Sequence, residues 1–100
     1  MLVWILKVNN KEPFLHEMTP NLLYVRYLMS SYLYYNSYPI IPYTDYQFDW
    51  LCKELLNRWD EVDHIHKYLT TEEDLKAGTG FAIKFPLIVQ NCAIEWANSF

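Results

Sequence analysis

The segment from Thr19 to Tyr35 constrains this chain most, because it reads as a helix with almost no polar face. Thr19-Pro20 is a strong start signal. Threonine caps through its hydroxyl, and proline at the first helical position already has helical φ and lacks only an N–H that would go unpaired. Leu22, Leu23, Tyr24, Val25, Tyr27, Leu28, Met29, Tyr32 and Leu33 then crowd around the axis. A surface helix carries one apolar stripe. This one demands cover on more than one side, from its own domain or from a protein partner. A homo-oligomer formed through the Thr19–Tyr35 helix would also hide it.

Asn36-Ser37-Tyr38-Pro39 and Pro42 keep the following stretch non-helical. Thr44-Asp45-Tyr46-Gln47 fits a capping box, with Thr44 as N-cap and Gln47 at the third helical position. The spacing predicts a helix from there to about Val62, with Phe48, Leu51, Cys52, Leu55, Trp59 and Val62 as its apolar stripe. Asp60–His66 is polar and closes it. Thr71-Glu72-Glu73-Asp74 starts a short helix to about Lys76, and Pro86 opens a last one. Ile88, Val89, Cys92, Ala93 and Trp96 form one face of that helix. Upstream, Met1–Val8 fits a short strand or an extended arm, and Asn9–Pro13 is turn chemistry. The expected fold is mainly α: a single small domain over residues 1–100, with three to four helices and a short extended or strand N-terminal element.

Composition limits what such a domain does. Of 100 residues, 18 are aromatic and nine of those are Tyr. A core this small needs fewer, so some rings should sit at a pocket or an interface, where an apolar body with a polar tip is useful. The net charge is -4, and the eight basic residues are scattered from Lys7 to Lys84. Direct nucleic-acid binding relies on clustered Lys and Arg and is not expected. Cys52 and Cys92 fall at apolar helical positions and read as buried free thiols in a reducing compartment. The apolar run Met1–Leu6 is too short for a signal segment or a membrane span. A cytoplasmic protein with no membrane association is the expectation.

One constellation carries ligand chemistry. Tyr32-Leu33-Tyr34-Tyr35 puts rings just ahead of two carboxylates, in Asp45-Tyr46-Gln47-Phe48-Asp49. Asp45 and Asp49 share a face at the start of the second helix. Rings and paired acids together suit a flat, partly cationic ligand. A cation over a tyrosine face gains about 0.5–2 kcal/mol, and carboxylates accept hydrogen bonds from amides and hydroxyls.

Residues 31–56 resemble the N-terminal helical subdomain of bacterial NAD-dependent DNA ligases, which grips the nicotinamide mononucleotide half of NAD. That family carries a Tyr-Leu-Tyr-His-like run, a Pro-containing turn, an Asp-Ala-Glu-Tyr-Asp motif and a Leu-rich helix. The counterparts here are Tyr32-Leu33-Tyr34-Tyr35, the turn from Pro39 to Pro42, Asp45-Tyr46-Gln47-Phe48-Asp49 and Trp50-Leu51-Cys52-Lys53-Glu54-Leu55. The resemblance implies a ligand site at Tyr34, Tyr35, Asp45, Phe48 and Asp49. Tyr34 would stack near the nicotinamide ring, and the two aspartates would bind its carboxamide or the ribose hydroxyls. NAD or NMN would be the ligand, with no cofactor required. Tyr35 stands where the family has His or a second Tyr, Phe48 stands where it has Tyr, and the turn is one residue longer. The segment from Asp60 to Pro86 looks like that of small ligase-related proteins of bacteriophages.

The adenylating Lys-x-Asp-Gly motif of a ligase is absent from the chain. The resemblance therefore implies a stand-alone nicotinamide-nucleotide-binding module, not an enzyme by itself. The alternative is a viral interaction module or inhibitor in the host cytoplasm, acting on a host NAD-using, DNA-processing or defence protein. A bound phosphate would need a counter-charge from Arg26, Lys53 or Arg58.

Other motifs have plainer readings. His64-x-His66, with Asp60 and Asp63, offers two imidazoles without structural-zinc spacing, and reads as polar residues finishing a helix. Gly78-Thr79-Gly80 reads as a loop bend before a phosphate cradle. Neither cysteine has a flanking basic group that would clearly lower its thiol pKa. No catalytic residue and no metal ligand is assigned.

Overall fold

The α1 helix (Pro20–Tyr35) starts where the Thr19 hydroxyl accepts the Leu22 N–H at 3.2 Å. In the computed structural model, which describes residues 17–99, it is the central element. The predicted N-terminal strand or arm over Met1–Val8, and the turn after it, lie outside the described residues. After α1 come α2 (Asp45–Asn57), 3-10 turns at Trp59–Glu61 and Lys67–Leu69, α3 (Glu72–Ala77) and α4 (Leu87–Asn98). The fold is mainly helical, with four α-helices and no strand among the described residues.

The cover that α1 demands comes from its own chain. The helix packs against α4, α2 and the Trp59–Glu61 turn, and α2 packs against α3. Leu23, Tyr24, Tyr27, Leu28 and Leu33 are buried along it, as are Ser30 and Ser31. Buried phenols need hydrogen-bond partners, and both find them at long range. The Tyr24 hydroxyl donates to the His66 carbonyl at 2.6 Å and lies 3.1 Å from the Thr70 hydroxyl. The Tyr27 hydroxyl donates to the Thr79 carbonyl at 2.7 Å. These bonds fasten the two loops flanking α3 to the central helix. Burial pushes the Tyr24 phenol up to about 12. It raises Tyr27 as well.

Both halves of the Thr44 capping box form: Gln47 N–H reaches the Thr44 hydroxyl, and Thr44 N–H reaches the Gln47 side chain. The helix ends at Asn57, not near Val62. Arg58 leaves helical geometry at φ −115° and ψ 21°, and its N–H closes on the Glu54 and Leu55 carbonyls. Trp59 and Val62 still pack inward: the Trp59 ring meets Tyr24 edge-on at 5.6 Å, and Val62 is buried. The apolar spacing thus recorded burial rather than helix.

A second correction concerns Cys92. Cys52 is buried, but Cys92 is exposed. The α4 helix turns Val89, Ala93, Trp96 and Ala97 inward and leaves Ile88 and Cys92 on its outer side. Among the described residues, no helix is long and apolar enough to cross a membrane.

Candidate functional site

The last turn of α1, the first turn of α2 and the loop after α3 meet around a cleft of about 260 Å³. Tyr34, Tyr35, Asp45, Phe48 and Asp49 all line it. Two helix ends separated by a proline-bounded connection bring these five together. Ile41 and Tyr43 from that connection, Ser30 and Gly78 complete the wall.

The rings are held in distinct ways. Tyr34 and Tyr35 stand at right angles, with centroids 5.0 Å apart and 88° between planes. Tyr34 is 52% exposed and presents its ring to the opening. The Tyr35 hydroxyl lies 2.6 Å from the Thr79 hydroxyl, and its ring meets Phe81 edge-on at 5.7 Å. Phe48 stacks on buried Tyr27 at 5.8 Å and 20°, so its position is fixed by the core. Tyr43 is buried and packs edge-on against Trp96 at 5.5 Å.

The carboxylates give the cleft its charge. Asp45 is the acidic residue in the first turn of α2. Asp49, one turn on, pairs with Lys53 at 2.9 Å, and that carboxylate raises the Lys53 ammonium above its ordinary range. The other two predicted counter-charges point elsewhere. Arg26 sits over the Trp96 ring at 4.6 Å. Arg58 donates to the Met18 carbonyl at 3.2 Å and approaches Glu61 at 3.5 Å.

Of the Gly78-Thr79-Gly80 loop, Gly78 lines the cleft. Gly78 ends α3 at φ +68°, in the left-handed region that glycine enters freely. Its N–H bonds to the Leu75 carbonyl, and the Thr79 N–H bonds to the Asp74 carbonyl. That pair is a Schellman closure. These two amides are therefore engaged in ending a helix, not turned toward a phosphate. The side of Gly78 faces Asp49, whose Oδ1 would lie 3.6 Å from an added Cβ. Gly80 runs tight against α1, where a Cβ would meet the Ser31 Oγ at 2.5 Å.

Chemically, the cleft offers faces and anions. The Ser30 hydroxyl donates into its own helix, 2.6 Å from the Arg26 carbonyl. Burial, aided by Asp49, pushes the Cys52 thiol up to about 12, which keeps it protonated. The lining thus offers aromatic faces and two carboxylates, and Cys52 is not part of it.

His64 and His66 lie elsewhere, at a second, mainly apolar cavity of about 370 Å³ shared with Met29, Ile88 and Cys92. The His64 Nδ1 accepts the His66 N–H at 3.1 Å. Burial, and then His66, lowers the His64 pKa. Among the described residues, no group of three or more His, Cys, Asp or Glu is placed to hold a metal ion.

Sequence reasoning missed Thr79, the hydroxyl that positions Tyr35. No local signal reveals it, because the two residues are 44 positions apart. Gly78 carried a signal in hindsight, since a glycine after a short capped helix marks a left-handed exit. No protein-family model, curated protein or solved structure matches this chain.

Proposed function

We propose that this chain is a nicotinamide-nucleotide-binding module, related to the N-terminal helical subdomain of NAD-dependent DNA ligases and without ligase chemistry of its own. One observation carries the reading: Tyr34, Tyr35, Asp45, Phe48 and Asp49 converge on a single cleft. The rings supply stacking faces, and the aspartates supply acceptors for the carboxamide and ribose hydroxyls. Small-molecule sites commonly enclose about 300–1,000 Å³. A cleft near 260 Å³ lies just below that range and suits one ring and its sugar better than a whole dinucleotide. NMN, or the NMN half of NAD, is therefore the expected ligand, in the cytoplasm.

Calorimetric titration with NMN and NAD tests this. Saturable heat that is lost in Tyr34→Ala and Asp49→Ala variants, both still folded, supports it. No heat at millimolar ligand from folded protein overturns it.

A second reading is a viral interaction module that docks on a host NAD-using or DNA-processing protein. It draws on the apolar surface around the second cavity, where Ile65 is 81% and Ile88 63% exposed. Large exposed apolar side chains in one patch are a mark of contact surfaces.

A further inference from the structure

We infer that the cleft reads the positive charge of the oxidised nicotinamide ring, and so separates pyridinium from dihydropyridine forms. The inference rests on the nicotinamide-nucleotide reading and adds which state of the ligand is selected and which part is the handle.

The charge balance of the wall carries it. Asp45 and Asp49 line the cleft, and among the described residues no Lys, Arg or His does. Lys53, one turn beyond Asp49, is already paired with that carboxylate at 2.9 Å. The carboxyl end of α1, a site of partial negative charge, also points here, with no basic residue in its last turn. The amino end of α2 opposes that field, and Asp45 in its first turn offsets it. The summed field favours a cation.

The rings act in the same direction. Tyr34 and Tyr35, set at 88°, and Phe48 behind them give quadrupole faces that attract positive charge and gain little from a neutral ring. Oxidised and reduced nicotinamide share nearly the same outline. Reduction removes the positive charge, and with it the Coulomb and cation–π attraction together. A phosphate, by contrast, meets two acids and no cation among the described lining residues. The pyridinium and its ribose are therefore the handle, and the phosphate adds little.

The test uses the full chain and four probes: NMN, reduced NMN, 1-methylnicotinamide, which is cationic without sugar or phosphate, and neutral nicotinamide. NMN should bind at least about tenfold more tightly than reduced NMN, and 1-methylnicotinamide at least about tenfold more tightly than nicotinamide, a modest cation–π and Coulomb margin. In an Asp45→Asn, Asp49→Asn double variant the oxidised-to-reduced ratio should fall toward one. Circular dichroism and a thermal melt establish that this variant is folded; single Asp45→Asn and Asp49→Asn variants provide the same comparison if it is not. Equal binding of NMN and reduced NMN overturns the charge inference and leaves the nucleotide reading standing. Binding of 1-methylnicotinamide without any binding of NMN or NAD overturns the nucleotide reading and supports the charge inference. Silence from every probe overturns both.

Discussion

The hydroxyls of Tyr35 and Thr79 lie 2.6 Å apart and join the last turn of α1 to the loop that follows α3. Thr79 also accepts the Phe81 N–H at 3.1 Å, and its carbonyl accepts the Tyr27 hydroxyl. Tyr35→Phe removes one exposed bond and should lower stability by no more than about 0.5–1 kcal/mol. Its effect should appear chiefly as weaker NMN binding, because the ring loses its tether. Thr79→Val removes two bonds and should cost more in a thermal melt. A Tyr35→Phe protein that binds NMN as tightly as the parent would show that the tether does not matter.

The two loop glycines should respond differently to alanine. At Gly78 the penalty comes from the left-handed backbone, at φ +68°, and should be about 1–2 kcal/mol, with only ordinary contact to Asp49. At Gly80 the new methyl would press on Ser31, whose Oγ and Cβ lie 2.5 and 2.7 Å away and which is fully buried. Overpacking of this kind costs about 1–3 kcal/mol. Urea titration of both variants checks this. Free tolerance of Gly80→Ala would contradict the close approach.

The capping signals were plain in the sequence. Thr19-Pro20, the Thr44–Gln47 box and the Thr71–Asp74 box each open a helix as their side-chain chemistry requires. The ends were harder. Trp59 and Val62 continue the α2 stripe in sequence yet lie beyond the helix end at Arg58, because a 3-10 turn there still packs Trp59 against the core and leads to buried Val62. Cys92 was misplaced because helical periodicity defines a face but not which edge of it meets the neighbour. Of the cleft, residues on the helix ends around one connection were legible. Tyr43, Gly78 and Thr79 were not all so: tertiary packing alone brings the loop after α3 to Tyr35.

Alkaline unfolding should follow the buried phenols. Tyr24, pushed up to about 12 by burial, and Tyr27, also raised, titrate near 10 when unfolded. Between these values the folded state holds protons that the unfolded state has released. Their contribution is therefore complete below about pH 10 and is lost as pH climbs toward about 12. The melting temperature should fall above about pH 10, and less steeply in Tyr24→Phe. A melt that stays flat to pH 12 would contradict this.

The thiols should separate cleanly. Cys92 is exposed, whereas Cys52 is buried with its thiol pushed up to about 12. A thiol reagent at pH 8 should modify one cysteine in the folded protein and two in denaturant, because the thiolate is the reactive form. Cys92→Ser should abolish the native reaction. Two fast equivalents without denaturant would mean that Cys52 is reached through an opening of the core.

Gly80 seated against Ser31 has a kinetic consequence. The loop whose first glycine, Gly78, lines the cleft is seated through Gly80 on the central helix that also carries Tyr34 and Tyr35, so both sides are anchored to one buried element. A ligand arriving there meets described walls that are already in place. Mixing with NMN should give a single exponential whose rate rises linearly with concentration, as expected when interface backbone moves little.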